Sequence, residues 1–181
     1  MKQTEIGLLP DDWEIVSLDS INTYKSKSIN PSQYKEETFE YYSIPAYQKT
    51  GKPIDCKGSE IESNKLVLEN GMVLFGKLNP RVEKVWHVDS NSTLKKIGST
   101  EWIPVLPNKR IIKDFLYFAE WGPFIMPVAK TKVAGSTPSR QRVDPTSFYQ
   151  LKFPLPSILE QKNISHILTL IQSAIQKQEQ I

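Results

Sequence analysis

The sequence predicts an α+β protein. A β-rich domain with a mixed or antiparallel sheet and few helices occupies residues 1–156, and one long C-terminal α-helix of coiled-coil type occupies 157–181. Three observations carry this. The thirteen prolines and eight glycines all fall before residue 157, which cuts that part into short elements with stiff connections. Within it, only Lys113 to Trp121 (KDFLYFAEW) reads as helix, and Gly122-Pro123 ends it. From Ser157 onward Ile164, Leu168, Ile171 and Ile175 recur at steps of four, three and four, the narrow apolar seam of a coiled coil.

The elements follow in chain order. Trp13 to Leu18 alternates after Pro10-Asp11-Asp12 and predicts a first strand. Phe39 to Ile44, stopped by Pro45, predicts another. Leu66 to Phe75 carries Asn70-Gly71 between apolar runs, the strongest short hairpin signal. Val82 to Val88 and Trp102 to Leu106 read as strands, and Ala134-Gly135-Ser136-Thr137-Pro138 as a loop. Phe153-Pro154-Leu155-Pro156 is an extended stop. Ser157 and Glu160 then form a capping box, in which each side chain satisfies a backbone N–H at the helix start. Ile167 and Leu170 flank the seam, and the remainder is rich in glutamine (Gln161, Gln172, Gln176, Gln178, Gln180), as on a helix that projects towards a partner helix.

Composition narrows the function classes. With 181 residues, 39% apolar residues and a net charge of +3, the chain is neither disordered nor a basic tail. One cysteine, Cys56, excludes a disulfide framework and a Cys-based zinc site and fits a reducing compartment. The first residues, MKQTEIGLLPDDW, are too interrupted by acids for a signal peptide. No stretch reaches the roughly 20 apolar residues that cross a bilayer, so a soluble intracellular protein without a membrane partner is expected. The mean charge hides an asymmetry: residues 1–20 carry −4, 21–156 carry +7 and 157–181 carry zero. A polyanion would meet the middle segment.

No catalytic constellation emerges. His87 and His166 lack carboxylate or cysteine neighbours at ligand spacing, which leaves no metal site. There is no nucleophile elbow, P-loop or dinucleotide fingerprint. Asn79-Pro80-Arg81-Val82 half matches an amino-methyltransferase motif but has a cation in place of its second proline. Asp144 with Glu160-Gln161-Lys162 imitates a nuclease D…ExK pattern, yet Glu160 is already used as the capping residue. The remaining chemistry is basic and polar. Lys77, Asn79, Arg81 and Lys84 lie in one loop; Lys130, Lys132, Ser136, Thr137, Arg140 and Arg142 lie in a second run without an acid. Cations neutralise phosphates, hydroxyls and backbone N–H groups fix register, and Arg and Asn read base edges bidentately. These ten residues are the candidates for nucleic-acid contact, and the alternative is two solvated loops.

The motifs resemble a known family. Glu5-Ile6-Gly7 with Pro10-Asp11-Asp12-Trp13-Glu14 resembles the opening "IGxIPxDWE" of target-recognition domains in type I restriction–modification specificity subunits. Gly71 to Phe75 resembles their "GDVLF" segment, with Met72 where the family has an acid, and a basic Asn-Pro turn follows it. Gly135-Ser136-Thr137, Phe153-Pro154-Leu155-Pro156 and Glu160-Gln161-Lys162-x-Ile164 resemble the ending "GST…iPlPpleEQkkI".

The resemblance implies a target-recognition domain over 1–156 and a spacer and dimerisation helix over 157–181. A full subunit carries two such units, so this chain resembles a half-subunit. Its domain would read one half of a bipartite site in double-stranded DNA, which makes those ten residues the DNA-facing candidates. Its helix would pair through Ile164, Leu168, Ile171 and Ile175 with a second copy. A methyltransferase subunit and a restriction subunit would dock on it in a prokaryotic cytoplasm. They would bring S-adenosylmethionine and ATP respectively, and this chain would hold no cofactor and catalyse nothing. The alternative is a recognition-domain fragment of a combined restriction–methylation enzyme. A DNA-mimicking inhibitor would need an acidic middle, which this chain lacks.

Overall fold

A computed structural model describes residues 1–178. Residues 179–181, the end of the predicted spacer helix and including Gln180, lie outside the described residues.

Two sheets organise the domain. The first has five strands in the order Ser28–Ile29, Lys65–Val67, Lys95–Gly98, Thr38–Tyr42 and Ile54–Lys57. Lys95–Gly98 runs parallel to Thr38–Tyr42, and the other pairings are antiparallel, so the sheet is mixed. The second is antiparallel, with Val73–Gly76 between Trp102–Val105 and Val85–His87. Val73–Gly76 is buried along its whole length, which is why it reads as a continuous apolar run instead of an alternating one. Val73 and Phe75 face a core shared with Leu116, Ile125 and Phe148; Leu74 faces a second core of Tyr42, Met72, Trp86 and Trp102. Phe153 and Val16 join the first core from the antiparallel pair Lys152–Leu155 and Glu14–Ser17, which ties the two ends of the domain together.

Two local readings are corrected. The Asn70-Gly71 segment is a turn but no hairpin. Gly71 adopts φ +92° and donates its N–H to the Val88 carbonyl at 2.8 Å. The flanking strands, however, belong to different sheets, so the chain crosses between sheets here. Lys65–Val67 pairs instead with Ser28–Ile29 and Lys95–Gly98, and Val73–Gly76 with Trp102–Val105 and Val85–His87.

Pro45 does not simply stop a strand. The strand ends at Tyr42, and Pro45 sits in the first turn of a helix, Ile44–Thr50, where its missing N–H costs nothing. Ser43 caps that helix through its Oγ, 3.1 Å from the Ala46 N–H. Short helices at Leu18–Ile21, Met126–Ala129 and Pro145–Tyr149 also join Lys113–Trp121, so helix is more frequent than the breakers suggested.

The C-terminal helix runs from Ile158 to Gln178, 21 residues and about 31 Å. The expected capping box forms: Glu160 Oε2 accepts from the Ser157 N–H at 3.1 Å, and Ser157 Oγ accepts from the Glu160 N–H at 3.3 Å. Gln161 corrects the reading of an outward glutamine face, because it is fully buried. Its Oε1 accepts from the Ile112 N–H at 3.0 Å, and its Nε2 donates to the carbonyls of Arg110 (3.0 Å) and Pro156 (2.9 Å). With three partners, a buried amide is stable where a bare one would not be.

The seam divides. Ile164 packs on the domain core, and Leu168 lines a cleft with Phe115, Phe118 and Trp121. Ile171 and Ile175 are 51% and 52% exposed, and Ile167 and Leu170 are both 57% exposed. The root of the helix is therefore part of the domain, and its distal half presents apolar side chains outward.

Candidate nucleic-acid interface

Tertiary structure brings the two basic runs together. The Asn79 N–H donates to the Gln141 carbonyl at 2.9 Å, the Val143 N–H donates to the Lys77 carbonyl at 3.0 Å, and Leu78 and Arg142 form a β-bridge. Residues 77–79 thus lie as an added edge beside the pair Val133–Ala134 and Arg142–Val143. Two backbone features shape the face. Asn79 takes φ 47°, a left-handed conformation that Asn tolerates better than most residues. Gly135 takes φ +115°, and a Cβ there would meet the Arg140 carbonyl oxygen at 3.2 Å, so the loop requires glycine.

The candidates occupy distinct environments. Arg81, Lys132, Ser136, Thr137, Arg140 and Arg142 are exposed, and Lys77, Asn79 and Lys130 are half-buried. The Asn79 Oδ1 is buried without a partner among the described residues, which corrects its expected role as a bidentate base reader. Lys130 is ion-paired to Glu83. Arg142 is held by Glu101: its Nε lies 3.1 and 3.0 Å from the two carboxylate oxygens and its Nη2 2.9 Å from Oε1. That carboxylate raises the already high guanidinium pKa further.

Lys84 is the correction. It is 2% exposed, and its ammonium donates to the carbonyls of Asn79 (3.3 Å) and Val82. Burial pushes its pKa down. Its stem runs against Gly76, where a Cβ would come within 2.7 Å of the Lys84 Cβ. Lys84 therefore braces the 79–82 turn from inside and does not face a ligand.

Glu83 and Glu101 belong to this face and escaped the sequence reading. Glu101 lies 41 residues before its arginine, and no local pattern marks the pair. Trp13 and Glu160, one in the opening motif and one in the ending motif, also meet, with the Trp13 indole N–H donating to Glu160 Oε1 at 3.2 Å. That bond and those from Ser157 lower the Glu160 pKa, the Ser157 side chain contributing most.

The nuclease-like pattern dissolves on the same geometry. Asp144 caps the helix Pro145–Tyr149 by accepting from the Ser147 N–H at 2.7 Å, and Glu160 is engaged by Ser157 and Trp13. His87 stacks on Tyr117 with ring centroids 4.3 Å apart, 3.9 Å from Asp114, in an aromatic cleft of about 660 Å³; burial lowers its pKa. Among the described residues no three His, Cys, Asp or Glu side chains gather as a metal site would require, and no helix is long and apolar enough to cross a membrane.

No protein-family model matches the chain. A protein of Methanocaldococcus jannaschii assigned as the specificity subunit of the type I restriction enzyme MjaX is 26% identical over 188 aligned positions, covering 93% of this chain and 41% of that protein. Among solved structures, the HsdS subunit from Thermoanaerobacter tengcongensis superposes with a TM-score of 0.79 at 21% identity, over 95% of this chain and 45% of its own. A chain from a study of complex assembly and conformational transition in the type I R-M system superposes with a TM-score of 0.78, also at 21% identity and over the same shares. The S subunit of a type I system from M. genitalium superposes with a TM-score of 0.57 at 15% identity, over 94% of this chain and 42% of its own. The chain spans less than half the length of each of these relatives. In sequence and in fold it is similar to one half of a type I restriction enzyme specificity subunit.

Proposed function

We propose that this chain is the DNA-recognition half of a type I restriction–modification specificity subunit. It reads one half of a bipartite duplex site, and catalysis belongs to the subunits that dock on it. The observation that carries this is the similarity, along nearly the whole chain, to one half of specificity subunits. The joined basic runs supply the face: Lys77, Arg81, Lys132 and Arg140 neutralise phosphates, and Arg142 is the exposed fork available to a base edge.

The exposed Ile171 and Ile175 are the surface on which a second copy's helix pairs, continuing the seam begun by Leu168. Methylation with S-adenosylmethionine, and cleavage driven by ATP, are assigned to separate methyltransferase and restriction subunits in a prokaryotic cytoplasm. The coverage of the relatives also fits a second reading, a recognition segment of a longer combined restriction–methylation enzyme. A neighbouring methyltransferase reading frame favours the subunit, and an upstream fusion favours the fragment.

The test is duplex binding by the purified chain, with and without a matching methyltransferase subunit, across a salt series. Affinity is expected to fall steeply with salt and to depend on sequence; binding indifferent to both rejects the reading. For pairing, Ile171→Asp with Ile175→Asp is expected to halve the mass seen by light scattering, with the circular dichroism spectrum of the folded domain retained below the transition. An unchanged mass rejects pairing through this seam.

A further inference from the structure

The geometry points to Arg142 as a pre-set reader of guanine, with Glu101 as the positioning residue that aims it. The inference rests on the DNA-recognition reading above and sharpens it, because it separates one base contact from the phosphate contacts around it.

A guanidinium has five N–H donors in one plane. Here the Nε N–H and one N–H of Nη2 point at Glu101, at 3.0–3.1 Å and 2.9 Å, and one N–H of Nη1 donates to the Arg140 carbonyl at 3.2 Å. Three donors on two sides hold the plane of the group, and the backbone beside it is pinned by the Leu78 bridge and by the Lys77 N–H on the Glu101 carbonyl at 3.0 Å. Two donors remain, one on each terminal nitrogen, on a side chain that stays 48% exposed.

Two parallel donors require two adjacent acceptors. In the major groove guanine offers O6 and N7, both acceptors; adenine offers one acceptor and one donor. A flexible exposed arginine would have to freeze several rotors on contact, whereas this one is already held. The neighbours lack such a brace. Arg81, Lys132 and Arg140 are exposed and form no ion pair within the described residues, which suits delocalised phosphate contacts.

Glu101 also supplies a discriminating sign. Removing its charge makes the face more positive. If Glu101 acted only through charge, Glu101→Gln would tighten binding to every duplex. If it aims Arg142, the same change blurs the preference for one guanine.

The experiment is selection from duplexes with a randomised tract by the full chain and by Arg142→Lys, Arg142→Gln and Glu101→Gln, followed by affinity measurements on the enriched duplex. The wild type is expected to enrich a motif containing a guanine whose enrichment disappears in Arg142→Gln and weakens in Arg142→Lys, which lacks the fixed fork, and in Glu101→Gln, all other positions persisting. Replacing that guanine with 7-deazaguanine, which lacks the N7 acceptor, is expected to cost the wild type on the order of tenfold or more in affinity and Arg142→Gln almost nothing. Unchanged melting temperatures show that the variants fold. If Arg142→Gln keeps the same guanine, Arg142 does not read that base and the proposal is overturned while DNA recognition stands. If the wild type enriches no motif, both fail together.

Discussion

The root of the C-terminal helix and the basic face use the same polar chemistry to opposite ends. At the root, Gln161 satisfies three backbone groups, Ser157 and Glu160 satisfy each other, and Trp13 takes the remaining carboxylate oxygen of Glu160. At the face, Arg142 keeps two donors unspent, and Arg81, Lys132 and Arg140 stand exposed. A closed network fixes the angle at which the helix leaves the domain. An open one leaves donors for a ligand. Substitutions in the first should therefore cost stability, and those in the second should cost binding while leaving the fold alone.

The largest effect is expected at Gln161. Gln161→Ala strands the Ile112 N–H and the Arg110 and Pro156 carbonyls in a buried place, and should lower unfolding free energy by about 3 kcal/mol in a denaturant titration. A loss below about 1 kcal/mol would mean that water replaces the amide and that the root is not closed.

Glu120 is the opposite case, a fully buried carboxyl with no hydrogen-bond partner for either oxygen among the described residues. Burial raises its pKa well above the ordinary carboxylate range. The folded protein therefore holds a proton that the unfolded chain has released, and stability falls as pH rises from the unfolded carboxyl's range towards the folded one. Glu120→Leu should remove that fall, stabilising the protein by about 1 to 3 kcal/mol at pH 8 and by less at pH 4, as read from melting at the two values. A pH-independent difference would break the argument.

Ser157→Ala removes one half of the capping box and should cost about 1 kcal/mol. Smallest in stability are Lys132→Ala and Arg140→Ala, each within about 0.5 kcal/mol of wild type by denaturation. Each should nonetheless lower the salt dependence of duplex binding by about one ion. A stability loss without any change in binding would erase the distinction between the two regions.

Much of the root was legible because its signals are local. Ser157 and Glu160 lie three residues apart, and a capping box needs no information from elsewhere. The basic residues of the face were visible as charge runs, but not their division of labour. Lys84 and Arg142 look alike in sequence; one is buried under its own turn and the other is exposed. Gln161 looked like the other glutamines of the helix, and only the loop at Arg110–Ile112, about 50 residues earlier, distinguishes it.

Elements whose cause lies within a few residues are set locally: the capped terminal helix, the Lys113–Trp121 helix ended at Gly122, the turns at Gly71 and Gly135, and a positively charged middle segment. Long-range packing sets which sheet each strand beside Asn70-Gly71 joins, which half of the apolar seam is covered, and which cations are paired, buried or left open. The reason is physical. Caps and turns are satisfied by backbone groups next to them in the chain. Burial and ion pairing depend on distant surfaces meeting, as Glu101 meets Arg142 across 41 residues.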